Sequence, residues 1–172
     1  MPNALKLTFI RDFYSNIMIA ELKSLSKLEL ELLIRAPLLV SILIGGADGE
    51  IDRSEIEGAI AAAQKMARSK SSLKAYYESV LEDFEDKLKV IIQDYPSKPE
   101  KRGEEISEEL AGLNIIFNKV EGALSLDIYE SLKSLALNIA KSSGGFFGMK
   151  SIGVEEARYV ELKMIFPPTT SR

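Results

Sequence analysis

The chain has 172 residues and a formal net charge of −4, and its acidic balance without a basic stripe disfavours nucleic acid as a partner. It contains neither Cys nor His, which excludes disulfides, thiolate or imidazole catalysis and metal sites built from those side chains. Any metal site must therefore use oxygen ligands, as sites for Ca²⁺, Mg²⁺ or Mn²⁺ do.

The first part of the chain predicts helices around an apolar centre. An apolar stripe from Leu7 to Met18 predicts the first helix. Ser26 and Glu29 form a capping box that opens a second helix, which we expect Pro37 to kink or restart. The run from Leu38 to Ile44 is apolar on all sides, and no second strand-like run exists to pair with it. It is therefore predicted to be the central buried helix.

The same region bears on location in the cell. The longest uncharged run, Ala36 to Ala47, is too short to cross a bilayer. Residues 1–20 carry Arg11 and Asp12 inside their apolar stretch, so they contain no signal-peptide core. We expect a cytoplasmic protein with no membrane insertion.

The middle of the chain predicts an antiparallel helical hairpin over about residues 72–124. An apolar stripe with steps of four and three predicts a continuous helix from about Ser72 to Asp94, and the same rhythm returns between Ile106 and Leu124. The polar segment from Pro96 to Gly103 predicts the connecting loop. Each stripe lasts only about three heptads, so two core helices of one domain are favoured over a free coiled coil. The acidic run from Glu82 to Asp86 is interpreted as a solvated helix face.

The last part of the chain predicts one helix over about Leu126 to Ser142 and another that starts near Val154. A Gly-rich loop between them contains Phe146 and Phe147. These two side chains either pack in the core or form an exposed patch that contacts a partner.

A modest internal repeat links the two ends of the chain. An offset of 96 residues aligns the apolar positions between Leu39 and Leu43 with those between Leu135 and Ile139, and an offset of 101 aligns residues 51–63 with 152–164. A helix–loop–helix unit at about residues 27–68 is thus predicted to recur at about 126–165. The sequence predicts one all-α domain over residues 1–172, with about seven helices and an internal pseudo-repeat.

The loop after the central helix holds four carboxylates, those of Asp48, Glu50, Asp52 and Glu55. In a structural interpretation, Asp48 and Gly49 make a turn with positive φ at the glycine, while Asp52 and Glu55 form a capping box for the next helix. In a functional interpretation, the four carboxylates and water bind a divalent cation weakly, because the cation relieves their repulsion. The sequence leaves both interpretations open.

A true EF-hand is excluded at this loop. Residues 48–55 match only the second half of such a loop, including its closing glutamate. Ile44 and Gly46 stand where the first two ligands are required, and neither has a side-chain oxygen.

The stretch from Ala47 to Asp52, followed by Glu55 and an Ala-rich helix, resembles the TerB-like family of tellurite-resistance proteins. The resemblance is most specific over about residues 36–68 and weaker over 126–165. It implies an all-helical domain and a non-catalytic accessory role in the response to tellurite and other toxic agents. Its partners would be other proteins of that stress response.

The resemblance also implies a divalent cation at Asp48, Glu50, Asp52 and Glu55, since acidic loop residues of the family have been proposed to bind metal. The second loop departs from the pattern, because it has Lys150 and no aspartate. The alternative function is a helical protein–protein interaction module with no metal site.

Overall fold

The structure, a computed structural model, describes residues 22–49, 51–143 and 157–169. The predicted first helix, Glu50 and the pair Phe146 and Phe147 lie outside these ranges. The described helices are α1 (Lys27–Gly45), α2 (Arg53–Ser69), α3 (Ser71–Leu81), α4 (Phe84–Ile92), α5 (Pro99–Ala111), α6 (Leu113–Phe117) and α7 (Gly122–Ser143). No described residue lies in a strand, and the predicted all-α class is confirmed.

The centre of the fold is α1, which contacts every other described helix. From Leu33 to Gly45 all of its residues except Arg35 are buried, as expected for a helix that is apolar on all sides. The α7 helix packs against α1 and α2, and α3 packs chiefly against α2. The prediction of a central buried helix is confirmed.

Pro37 lies inside α1 without ending it. Of the two predicted effects of Pro37, the restart of the helix is wrong, and the kink stays a prediction. A proline has no N–H, which leaves the carbonyl four residues earlier, that of Leu33, without its helical donor. The hydroxyl of Tyr76 on α3 donates to the Leu33 carbonyl at 2.6 Å. A side chain from another helix thus replaces the missing N–H and lets α1 continue.

The predicted helix from Ser72 to Asp94 is divided in two, because α3 ends at Leu81 and α4 begins at Phe84. Asp83 between them has φ 50°, a left-handed conformation that Asp tolerates better than most residues. The acidic run from Glu82 to Asp86 therefore spans a break, and its Phe84 is buried. The four carboxylates of the run are exposed, as predicted, but they lie on two helix ends and the break between them and not on one continuous helix face.

The second arm of the predicted hairpin also breaks, with α5 ending at Ala111 and α6 at Phe117. A Cβ at Gly112 would lie 2.9 Å from Leu32 Cδ2, so the glycine allows α1 to approach closely at this break. Both α4 and α5 pack chiefly on α1. The two arms are thus anchored to the central helix, in place of the continuous paired helices that were predicted.

The internal repeat is visible only in part. Its first helices correspond to segments of α1 and α7, which pack against each other. The predicted start of the last helix near Val154 lies outside the described residues. Of its described portion only Ala157 is helical, and turns follow over residues 158–161.

Candidate functional site at the α1–α2 loop

The loop begins where the backbone of α1 turns away from the helix axis. The N–H of Gly46 still donates to Ile42 O at 3.0 Å, and the N–H of Gly49 donates to Gly46 O at 3.3 Å, which closes a turn. Gly49 has φ 151°, a conformation that other residues rarely adopt. The predicted turn with positive φ at this glycine is confirmed.

The loop ends in the predicted capping box. The N–H of Glu55 donates to Asp52 Oδ1 and the N–H of Asp52 donates to Glu55 Oε2, both at 2.8 Å. These two bonds satisfy backbone donors that the start of α2 leaves free. Glu55 is buried and Asp52 is exposed, so the two carboxylates that were predicted to share a cation serve the helix start.

The residue that organises the inside of the loop is Arg102, which the sequence analysis had placed only in a connecting segment. It lies in the first turn of α5 and is 6% exposed. Its Nη2 donates to Gly46 O at 2.6 Å and to Gly49 O, and its Nη1 donates to Ser97 O at 3.3 Å. One guanidinium therefore joins the α1–α2 loop to the α4–α5 connection.

Close packing around this guanidinium explains why Gly46 is a glycine. A Cβ at this position would lie 2.7 Å from Ile42 O and 3.2 Å from Arg102 Nη2. Burial lowers the pKa of Arg102, yet arginine keeps its proton in proteins because its ordinary pKa is so high. The inward-facing oxygens of the loop thus hold a permanent cation that belongs to the chain itself.

The four predicted metal ligands are dispersed among different roles. Asp48 is exposed, Asp52 and Glu55 form the capping box, and Glu50 lies outside the described residues. Within the described ranges, no three carboxylates come together as a group able to hold a metal ion. A cation site at this loop stays a prediction.

A second polar group lies where α1 meets α5. Arg35 Nη1 is 3.3 Å from Glu109 Oε1 and Arg35 Nη2 is 3.8 Å from Asp94 Oδ2. The hydroxyl of Tyr95 donates to Glu109. Burial, together with this hydrogen bond, raises the pKa of Tyr95. Because one cation is shared by two carboxylates of the α4–α5 region, we interpret the group as a structural link.

Large apolar side chains are exposed around the short helix α6. They are Leu28 at 78% exposure, Ile115 at 64% and Phe166 at 65%, and we call these three residues the α6 surface. They could not be predicted from the sequence, because one exposed position in each of three short segments makes no periodic pattern.

Polar contacts link the segments that carry Leu28 and Phe166 to α6 and to the residues just after it. Next to Ile115, Asn114 accepts a hydrogen bond from the N–H of Phe166 at 2.8 Å. At the other end of α6, Lys119 Nζ lies 2.5 Å from Glu29 Oε1, beside Leu28. The surface thus combines the start of α1, α6 and the C-terminal segment.

Comparisons with known proteins do not identify a family for this chain. No protein-family model matches it, and neither a curated protein nor a solved structure matches it significantly. The TerB-like resemblance therefore rests on the sequence residues alone and stays a prediction. In the described part of the chain, no helix has the length and apolar character needed to cross a membrane.

Proposed function

We propose that this protein is a non-catalytic helical accessory protein of a cytoplasmic stress response, and that it binds another protein through the α6 surface. The observation that carries the proposal is the exposure of three large apolar side chains around one short helix. Such side chains, when grouped, mark protein contacts more often than they mark chemistry. The stress, tellurite or another toxic agent, follows from the TerB-like resemblance.

The charges beside the α6 surface indicate what kind of partner it fits. Exposed lysines lie near its members along the chain: Lys23, Lys27, Lys119 and Lys163. Lys119 pairs with Glu29 and Lys163 with Glu161. A complementary partner would therefore present apolar side chains and, opposite Lys23 and Lys27, carboxylates.

The experiment is complementation of host cells that lack this gene, grown with tellurite. Wild type should restore growth, and the double variant Ile115→Asp, Phe166→Asp should not, because each charge opposes burial in an apolar interface. Val90→Asp is the matched control, since Val90 is an exposed apolar residue of α4. The control should restore growth as wild type does.

Two outcomes and one control decide this experiment. Equal growth with and without the gene would refute a role in resistance to tellurite. Full complementation by the double variant would refute the role of the α6 surface. The melting temperatures of both variants must match wild type, so that loss of growth reports lost binding and not lost folding.

The cation-binding function is the rival proposal, favoured by the exposure of Asp48 and Asp52. A cation that binds only the folded state must raise its melting temperature. We expect millimolar Ca²⁺, Mg²⁺ or Mn²⁺ to leave the melting temperature of wild type and of Asp48→Ala unchanged. A rise in wild type that Asp48→Ala loses would support the rival and contradict our expectation.

A further inference from the structure

Residues 159–166, which we call the docked segment, pack on the helices through side chains that are three positions apart. Two successive turns shape the segment, because the N–H of Leu162 donates to Tyr159 O at 2.8 Å and the N–H of Ile165 donates to Leu162 O at 2.9 Å. Leu162 and Ile165 are buried in the core, and Tyr159 is half-buried against it. The segment thus presents a short apolar face to the rest of the chain.

One residue of α6 and one of α5 hold the docked segment. The side-chain amide of Asn114 binds its main chain twice, since Nδ2 donates to Met164 O at 2.9 Å and Oδ1 accepts from the N–H of Phe166 at 2.8 Å. At Gly103 a Cβ would lie 2.5 Å from Tyr159 Oη, so the glycine leaves the space that the tip of the ring fills. In peptide recognition, main-chain hydrogen bonds give affinity and side-chain pockets give specificity. The contacts of the docked segment include both.

The docked segment fits this place imperfectly in two respects. Tyr159 Oη is buried and has no hydrogen-bond partner among the described residues, which lowers stability. Leu162 has φ 47°, a left-handed conformation that is unfavourable for a bulky side chain. A ligand with phenylalanine at the first apolar position would avoid the unpaired hydroxyl. The same segment from a second copy of the chain would not, so these observations favour a segment of a different protein.

We propose that α5 and α6 form a peptide-binding site that the docked segment occupies within the chain, and that a linear segment of another protein binds there when the docked segment leaves. The ligand has apolar side chains at its first, fourth and seventh positions, as the docked segment does at Tyr159, Leu162 and Ile165, and phenylalanine is favoured at the first. The inference goes beyond the proposed contact at the α6 surface and does not rest on it, because it concerns the buried side of the segment and not the exposed Phe166.

The experiment measures the binding of a fluorescently labelled peptide to the full chain by fluorescence anisotropy. The peptide spans residues 157–168 and carries Tyr159→Phe. In the full-chain variant Ile165→Asp, a charge opposes burial of the docked segment and opens the site. We expect this variant to bind the peptide at least about tenfold more tightly than wild type, in which the docked segment competes at a high effective concentration. Thr169→Asp is the matched control, since it adds the same charge at an exposed position, and it should bind as wild type does.

Two further comparisons in the Ile165→Asp background test the individual contacts. Asn114→Ala should weaken peptide binding about tenfold, because two hydrogen bonds to the main chain of the peptide are lost. The peptide that retains Tyr159 should bind about tenfold more weakly than the peptide with Tyr159→Phe, because its hydroxyl is buried without a partner.

Several results would overturn the inference. One is equal binding by wild type and Ile165→Asp, and another is no binding by either. A wild-type dimer that Ile165→Asp dissociates, measured by light scattering, would assign the site to a second copy of the chain and would also overturn it.

If Ile165→Asp does not fold, the full-chain variant Tyr159→Phe takes its place. Removal of the unpaired hydroxyl should raise the melting temperature by about 3 °C. It should also weaken binding of the peptide about tenfold relative to wild type, because the docked segment then competes more strongly. Equal binding of the peptide by Tyr159→Phe and wild type would refute the inference.

Discussion

In the middle of α1 and in the loop at its C-terminal end, main-chain carbonyls accept hydrogen bonds from side chains of other helices. The donating side chain differs between the two places. In the middle, Pro37 deprives the Leu33 carbonyl of its donor, and the Tyr76 hydroxyl supplies one. At the end, the chain leaves the helix and the carbonyls of Gly46 and Gly49 face inward. There the guanidinium of Arg102 supplies the donor.

The surroundings explain why one donor is neutral and the other charged. Tyr76 is fully buried among apolar side chains, and burial raises its pKa well above the ordinary value, so the phenol stays neutral. A charge there would lack compensation. Arg102 lies at the edge of a loop that carries several carboxylates, and it serves three carbonyls at once. A single carbonyl in the core thus takes a hydroxyl, and three carbonyls on two loops take one guanidinium.

The largest loss of stability is expected from a substitution at the α1–α2 loop. Arg102→Met should lower the free energy of unfolding by about 3 kcal/mol, because three charge-assisted hydrogen bonds that join two loops are lost. Chemical denaturation measures this change. Arg53→Met is the control, since Arg53 is exposed and pairs only with Glu57 among the described residues, and its effect should be much smaller. Equal losses in both variants would mean that the buried contacts of Arg102 contribute little.

A smaller loss of stability is expected from a substitution that affects the middle of α1. Tyr76→Phe should cost about 1–3 kcal/mol, since it leaves the Leu33 carbonyl buried and without a donor. In a Pro37→Ala background the restored N–H at residue 37 can donate to that carbonyl, so the same change should cost less. A double-mutant cycle by denaturation measures the coupling. If Tyr76→Phe costs the same in both backgrounds, Tyr76 does not substitute for the missing N–H.

The two sites also show where sequence reasoning succeeds and where it stops. Both capping boxes and the glycine turn at Gly49 were predicted, because each depends on residues within about four positions of one another. The donors Tyr76 and Arg102 were missed, because they are 43 and 56 positions from the carbonyls that they bind. An orphan carbonyl at Pro37 could have been predicted, but not which side chain would reach it.

The breaks in the predicted hairpin were missed for a related reason. The apolar stripe keeps its steps of four and three across Asp83, although the backbone there is left-handed. Periodicity reports which side chains are buried, and Phe84 and Leu88 are indeed buried. It does not report whether the helix between them is continuous, since a break that preserves burial leaves the pattern intact.

A third group of polar contacts lies at the N-terminal end of α1, and it is more exposed than the two described above. Glu29 accepts from the N–H of Ser26 at 2.9 Å, and Lys119 Nζ lies 2.5 Å from its other oxygen. The hydrogen bond from Lys119, followed by that from Ser26, lowers the pKa of Glu29 from 4.5 to about 2. Because the folded-state pKa is the lower one, this carboxylate stabilises the fold above pH 4.5, and the contribution is lost as the pH falls towards 2.

The smallest effect is therefore tested through the pH dependence of stability. Glu29→Gln keeps a side chain that can complete the capping box but removes the titrating group. The melting temperature of wild type should fall more steeply between pH 4.5 and 2 than that of Glu29→Gln. Lys119→Met should flatten the profile in the same way, since Lys119 is the main cause of the lowered pKa. If all three profiles run parallel, this exposed pair contributes nothing measurable, and the stability of α1 depends on its buried donors alone.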